Sequence, residues 1–374
     1  MKTGDEDRYE IMQLEKTFKG ERVFITGHTG FKGSWLTIWL RELGATVLGY
    51  SLEPPSNPNN FEASNLSNRI THVNGDIRDF SNLKRVFFEF QPEIVFHLAA
   101  QSLVRFSYEE PRITFETNVM GTVNMFEVVK ITPSVRVFIN VTSDKCYENK
   151  EYIWGYREND RLGGHDPYSS SKACAELITQ AYIKSFFSKR EDIGVASVRA
   201  GNVIGGGDWG TDRLLPDCIR AFSTGNTILI RNPLAIRPWQ FVLEPLYGYL
   251  LLATKLFEMA KDYTGAWNFG PKNESCISVR EMVNKVINYW GSGNWREVSS
   301  ELNNNKHEMS LLKLNCDKAY SLLKWQGVLD IDSTIEMTVK WYKTFYESTA
   351  IDMYNHCAAQ IKEYVEFASE RLKI

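Results

Sequence analysis

No stretch of this sequence is apolar for long enough to cross a bilayer. The most apolar segments, Ile94 to Ala100 and Tyr247 to Ala253, fall far short of the ~20 residues a spanning helix needs, so no membrane partner is expected. Neither sign of charge prevails: 43 Lys+Arg stand against 46 Asp+Glu, a net charge of −3. That balance gives no global basic field to attract nucleic acid or an anionic membrane surface, and any anionic ligand has to be held by local cations. Cysteine is sparse. The six residues (Cys146, Cys174, Cys218, Cys276, Cys316, Cys357) lie at least 28 positions apart, with no CxxC and no Cys/His pair at zinc spacing. A bound metal is therefore not expected, and a reducing cytoplasm is the simplest compartment. The opening segment, MKTGDEDRYEIMQLEKTFKG, lacks the apolar core of a secretion signal and reads as a polar extension over residues 1–20.

What the chain does have is the composition of a globular protein, 43% apolar and 24% charged over 374 residues, enough for two or three units or one large α/β domain with extensions. Short β-branched runs (Arg22 to Thr26, Ala45 to Ser51, Ile94 to Leu98, Val135 to Val141, Val195 to Val198) alternate with helical stretches such as Pro111 to Lys130 and Tyr168 to Phe187. This alternation predicts βαβ units, a Rossmann-type doubly wound parallel sheet over residues 1–200. From about Arg199 the triplet Gly205-Gly206-Gly207 and a series of prolines break the chain into shorter elements. Residues 201–374 are accordingly expected to form mainly a smaller C-terminal substrate-binding lobe, with some segments returning to the first domain. Ala350 to Lys373 reads as an amphipathic helix packed on the body, and the charges from Lys313 to Lys324 as a solvated helix face.

RVFITGHTGFKGSWL sets Gly27, Gly30 and Gly33 directly after the first strand and at the start of a helix. Glycines so placed allow a tight turn and let backbone N–H groups approach a pyrophosphate at the positive helix end. The acidic residue that would hold the adenosine ribose at the end of the second strand is absent; Tyr50 and Ser51 stand there, with no carboxylate before Glu53. No arginine is there to receive a 2′-phosphate, so NAD is favoured over NADP. Asp76 and Ile77 either flank the adenine or, for Asp76, cap the following helix.

In DPYSSSKACAELI, Tyr168 and Lys172 stand four apart on one helical face. A phenol of reference pKa ~10 is a poor base at neutral pH; a neighbouring ammonium favours its phenolate. Thr142, Ser143, Asp144 and Lys145 follow a predicted strand, at the edge where ligands of open parallel sheets gather. There Ser143 can extend a hydroxyl relay to Tyr168, with Asp144 and Lys145 as proton donor and acceptor. The competing reading is a polar turn.

TGHTGFKGSWL, HLAAQS, TSDKCY, YSSSK and RAGNVIGGGDW together resemble the extended short-chain dehydrogenase/reductase family, and within it the nucleotide-sugar 4,6-dehydratases, over essentially Glu21 to Lys340. The resemblance implies a redox-neutral conversion of CDP-glucose to a 4-keto-6-deoxy sugar, with NAD as cofactor. It gives Tyr168 the 4-hydroxyl proton, Ser143 and Lys172 the task of orienting and polarising Tyr168, and Asp144 the protonation of the departing 6-hydroxyl. Other dehydratases of the group carry Asp-Glu where this chain has Asp144-Lys145, so Lys145 is the expected base at C5. A lysine takes a proton only when neutral.

The resemblance also implies cofactor contacts from Gly27, His28, Thr29, Gly30, Phe31, Gly33, Asp76, Ile77, Ala99, Ala100, Gln101 and Asn118. It places Gln101, Ser102 and Arg105 beside the sugar, and Asn202, Arg213, Arg237 and Asn268 at the diphosphate or nucleotide. Trp209 and Trp239 either stack on a base or pack in the core; His97 is expected to be a satisfied core histidine. A homodimer or homotetramer follows from the same likeness, built on the helices Pro111 to Lys130 and Tyr168 to Phe187. Two other functions stay open at this point. A 4-epimerase would use the same Tyr168 and Lys172 without needing a proton donor at C6, and a noncatalytic dinucleotide sensor would need neither.

Overall fold

The computed structural model describes residues 12–298, 311–347 and 352–371; most of the polar opening segment, residues 1–11, lies outside them. Seven parallel strands form the central sheet in the order β11-β6-β5-β4-β1-β2-β3. They are β1 (Arg22–Thr26), β2 (Thr46–Ser51), β3 (Thr71–Asn74), β4 (Ile94–His97), β5 (Val137–Val141), β6 (Gly194–Arg199) and β11 (Gly265–Asn268). The central strands β4 and β5 are buried along their whole length, as strands covered on both faces have to be.

The connecting helices are α1 (Phe31–Glu42), α2 (Phe80–Phe90), α3 (residues 111–130) and α4 (Pro167–Tyr182). α3 is continuous but contains a π-turn at Glu116–Met120, and α4 ends in another at Ile183–Phe187. α2, α3 and α4 cover one face of the sheet around Phe24, Phe87, Phe126 and Phe138. α1 covers the other face with α6 (Leu243–Glu258) and the C-terminal α10 (Met353–Arg371), around Trp35, Trp39, Tyr247 and Tyr364. Trp39 stacks on Tyr247 at 6.0 Å, which seats the last helix on the body as its amphipathic pattern requires.

The smaller lobe consists of two-stranded pairs and short helices. β7 (Val203–Ile204) pairs with β10 (Gln240–Phe241), β8 (Thr227–Ile230) with β13 (Asn294–Glu297), and β9 (Ile236–Pro238) with β12 (Cys276–Ser278). α5 (Leu214–Ser223), α7 (Val279–Trp290), α8 (Asp317–Leu323) and α9 (Ile331–Glu347) pack around them. β11 and α6 carry this second half of the chain back onto the sheet. Trp209 sits in the aromatic core of this lobe, edge-on to Trp341, Tyr342 and Phe345, and Trp239 is buried as well.

One surface expectation is corrected. Lys318 does not lie on a solvated face: its ammonium donates to the carbonyl of Ala266 at 2.8 Å and stands 4.0 Å from the centre of the Trp267 ring. The aliphatic stem of a lysine can cover apolar surface while its head finds polar partners, and here α8 packs on the edge strand β11.

Candidate active site at the carboxyl edge of the sheet

The turn after β1 is as tight as its glycines suggest. Gly27 has φ +76°, and a side chain there would put Cβ 2.7 Å from the backbone nitrogen of Ala99; a Cβ on Gly33 would lie 2.1 Å from the carbonyl oxygen of Gly27. Gly30 caps α1 without a side-chain acceptor, and the first turn of α1 has no acidic residue. The leading N–H groups of α1 are thus left for an anion, where the helix dipole also favours negative charge. These features fit a dinucleotide pyrophosphate.

His28 contributes only its backbone to that surface. Its ring is buried over Gly49, with Nε2 2.8 Å from His72 Nδ1 and an edge against Phe61. Burial, reinforced by His72, pushes its pKa down to about 3, so the imidazole is neutral. Thr29 bonds Ser51 at 2.9 Å, so a pair of hydroxyls occupies the end of β2. Tyr50 is turned inward, its hydroxyl donating to the carbonyl of Asp76. Asp76 does not cap α2; Asp79 does, accepting from Asn82 N–H. Asp76 instead binds the backbone and guanidinium of Arg78, and Ile77 is buried beside Gly121.

The loop after β4 is held from behind. Asn118, buried in the π-turn of α3, accepts from Gln101 N–H at 2.8 Å, donates to the Gln101 carbonyl at 2.9 Å, and donates to Ser171 of α4 at 2.8 Å. An extra residue in a helix turn re-aims a side chain, a frequent device near functional sites. The Gln101 amide itself bonds Leu103 and Thr114, and Thr26 receives the N–H of Ala99, so Ala99, Ala100 and Gln101 offer a fixed backbone. His97 is the satisfied core histidine expected, 2.6 Å from Thr26 Oγ1.

Asp166 starts α4, accepting from both the N–H and the hydroxyl of Ser169, with Pro167 at the first helical position. This fixes the direction in which Tyr168 and Lys172 leave the helix. Ser143, Asp144 and Tyr168 are all buried, at 6%, 4% and 7% exposure. Ser143 Oγ donates to Asp144 Oδ1 at 2.8 Å. Burial raises the phenol to about 12, with Ser143 and the charge of Arg213 acting to lower it and Asp144 to raise it.

Lys172 is also buried and reaches the carbonyl of Val141 at 3.3 Å. Burial lowers its pKa to about 8, opposed chiefly by Glu176. Arg213 is the cation whose charge acts most on Tyr168, while Lys172 reaches over the end of β5. Lys145 is exposed at the same edge.

Two cations at this edge are held in ion pairs, each with an aspartate of the smaller lobe. Arg213, at the start of α5, is bound to Asp208 at 2.8 Å and reaches Ser102 at 3.3 Å; Arg105 is bound to Asp212 at 3.0 Å. Asn202 takes a left-handed φ of +49°, and its carbonyl accepts from Gln240 N–H at 3.2 Å. Arg237 lies half-buried on β9, its guanidinium donating to the Ile236 carbonyl. Asn268 does not face the cleft. It is fully buried, and its amide is engaged by Tyr147, Tyr156 and Asn315, because β11 buries it between the sheet and the loop before α8.

Two features escaped sequence reasoning. Glu176, one helical turn beyond Lys172, forms a fully buried ion pair with Arg199 at 2.6 Å and also accepts from Ser197 at 2.7 Å and from Thr142. Arg199 continues to Tyr147, which donates to Asn268. The chain of contacts ties α4, the turn after β5 and β11 into one unit. Nothing local marks Glu176 in the sequence. Lys32, by contrast, gave a signal: a basic residue in the first turn of a helix opposes the macrodipole. It is half-buried, and burial lowers its ammonium to about 8, with Asp144 opposing that shift and Arg213 and Lys172 adding to it. Among the described residues no group of His, Cys, Asp and Glu is arranged to hold a metal ion.

Comparison with known proteins points the same way. The sequence family described as GDP-mannose 4,6 dehydratase matches residues 24–338. A CDP-glucose 4,6-dehydratase of Salmonella typhimurium is 48% identical over 94% of this chain and 98% of its own. Among solved structures, a dTDP-glucose 4,6-dehydratase of Bacillus anthracis in complex with NAD is 22% identical and superposes with a TM-score of 0.73 over 88% of this chain and 98% of its own. A UDP-glucose 4-epimerase of Thermotoga maritima with UDP-glucose is 20% identical, with a TM-score of 0.74 over 87% of this chain and 99% of its own.

Proposed function

The chain belongs to the GDP-mannose 4,6 dehydratase family, within the extended short-chain dehydrogenases/reductases, and from that premise we propose that it converts CDP-glucose to CDP-4-keto-6-deoxyglucose and water. The turn of Gly27, Gly30 and Gly33 would hold NAD by its pyrophosphate, and the bound cofactor would supply reversible hydride transfer between C4 and C6 of the sugar. The residues of the chain move the protons. Tyr168 takes the 4-hydroxyl proton, held in place by Ser143; the resulting ketone acidifies C5; Lys145 removes the C5 proton; and Asp144 protonates the 6-hydroxyl as the C6–O bond breaks. The C5 proton returns to C5 when C6 is reduced.

Arg213 and Arg237 suit the substrate diphosphate, since guanidinium binds phosphate oxygens in pairs. The observation that carries the reading is the burial of Tyr168 beside Ser143 and Asp144, with Ser143 donating to the Asp144 carboxylate. A 4-epimerase has no use for a carboxyl group at that point, whereas a dehydratase needs an acid for the leaving hydroxyl. The cytidine nucleotide rests on the likeness to the Salmonella enzyme.

Phe115, Met120, Leu177 and Phe186 on α3 and α4 and their π-turns are between 37% and 54% exposed. This apolar face suits a second copy of the chain, and a reducing cytoplasm suits six free cysteines. The test is product analysis with CDP-, dTDP-, UDP- and GDP-glucose. The proposal requires a keto sugar, absorbing in the near ultraviolet in alkali, formed fastest from CDP-glucose; an isomeric sugar without a carbonyl would refute it.

A further inference from the structure

The two aspartates that hold the arginines of the cleft differ in kind. Asp208 is a fixed partner: its side chain is 7% exposed, and it accepts from Arg213 at 2.8 Å and from the N–H of Gly210 at 2.9 Å. Asp212 is open to replacement. Its carboxylate is 46% exposed, and a single oxygen, Oδ1, takes both Arg105 at 3.0 Å and Arg231 at 3.8 Å. Those two guanidiniums come from different parts of the fold. Arg105 lies in the short helix Val104–Glu109 that follows β4, on the sheet side of the cleft, whereas Arg231 directly follows β8 in the smaller lobe.

The turn that carries Asp212 is anchored as far as Gly210, because Arg220 donates to the carbonyls of Trp209 at 2.8 Å and Gly210 at 3.3 Å. Beyond it Asp212 takes a left-handed φ of +58°, which aspartate tolerates better than most residues. Arg213 comes next and reaches Ser102 at 3.3 Å, so Asp212 stands one residue from a guanidinium that suits the substrate diphosphate.

Charge points to what replaces it. Arg105, Arg213 and Arg231 are opposed by Asp208 and Asp212, which leaves one positive charge uncancelled. A nucleotide sugar carries one negative charge on each phosphate of its diphosphate, and withdrawal of Asp212 would match the site to both. Guanidinium binds phosphate oxygens bidentately, while an exposed carboxylate pair is weak. A phosphate can therefore take the donors that the carboxylate holds.

Resting on the reading of the substrate as a nucleoside diphosphate sugar, we propose that Asp212 is an intrachain competitor for that substrate: it occupies Arg105 and Arg231 in the ligand-free chain, and a phosphate of the incoming nucleotide displaces it from them. Arg231 thereby joins the substrate-binding residues, and Asp212 limits how tightly the nucleotide is held.

The test is calorimetric titration of the NAD-loaded full chain with CDP, unaltered and as Asp212→Asn. Each exposed pair shifts an equilibrium by about 1.5- to 5-fold. Freeing both arginines should accordingly lower the Kd of CDP by about 2- to 20-fold, steepen its dependence on salt, and leave the Kd of cytidine, which has no phosphate, where it was. A Kd for CDP that stays unchanged, or rises as it would if Asp212 clasped the bound nucleotide, overturns the competitor and leaves the dehydratase reading standing. Equal tightening of cytidine overturns it too, since charge then plays no part. No binding of CDP and no keto sugar from CDP-glucose, in the unaltered protein, overturns both. Arg231→Gln guards against a wider structural effect of the first variant. It should weaken CDP binding, and adding Asp212→Asn to it should gain less than the same change made alone, as coupled residues do; full additivity overturns the role of Arg231.

Discussion

Replacing Glu176 by glutamine tests whether the buried ion pair behind the site organises it electrostatically. Gln keeps the size of the side chain and a carbonyl oxygen for Ser197 and Thr142, but it leaves the Arg199 guanidinium, fully buried with its partner at 0% exposure, without an anion. Removing one member of such a pair costs about 3–5 kcal/mol, whereas removing both charges is often neutral. Glu176→Gln is therefore expected to lower the melting temperature by several degrees, and Glu176→Gln combined with Arg199→Met to recover most of the loss. A second effect separates an electrostatic role from a merely structural one. Glu176 is the chief group opposing the burial that brings Lys172 down to about 8. Without its negative charge the ammonium loses its proton at lower pH, so the alkaline limb of the activity profile should move downward. Unchanged melting of the single variant together with an unmoved alkaline limb would refute the argument.

Four further outcomes are expected. Tyr168→Phe should reduce keto-sugar formation by about 10²–10⁴-fold, the usual share of a positioned acid–base group, while melting stays near that of the unaltered protein. Asp144→Asn should lose turnover of CDP-glucose by a similar ~10²–10⁴-fold and regain most of it with CDP-6-deoxy-6-fluoroglucose, whose fluoride leaves without a proton. Gly33→Ala, which would press Cβ to 2.1 Å from the Gly27 carbonyl oxygen, should abolish NAD binding measured by fluorescence titration, since neither backbone segment can yield without opening the turn. Glu244 accepts the N–H groups of Val328 and Leu329 and the Tyr364 hydroxyl, and burial raises its pKa to about 7. The folded state thus binds a proton that the unfolded chain releases near pH ~4.3, so this site loses stability as pH climbs from there to about 7. The melting temperature of Glu244→Gln should accordingly rise relative to the unaltered protein between mildly acidic and mildly alkaline pH; a constant difference would exclude this linkage.

The sequence by itself determined the sheet and its edge. Short β-branched runs separated by helical stretches can bury both faces only as a parallel doubly wound sheet, and the strand limits read from sequence agree with the structure to within a residue or two. Gly27, Gly30 and Gly33, the helical spacing of Tyr168 and Lys172, and the polar turn after β5 are local patterns, so their placement followed from local rules. Tertiary structure decided which groups meet. Whether Asn268 faces a ligand or the interior depends on the loop before α8. Whether Lys172 or Arg213 acts on Tyr168 depends on a residue from the other lobe. The Glu176–Arg199 pair, and the burial of Tyr168 beside the turn that carries Ser143 and Asp144, depend on the packing of α4 against β5 and β6. Burial and electrostatics are set by neighbours from distant parts of the chain, and no local periodicity encodes them.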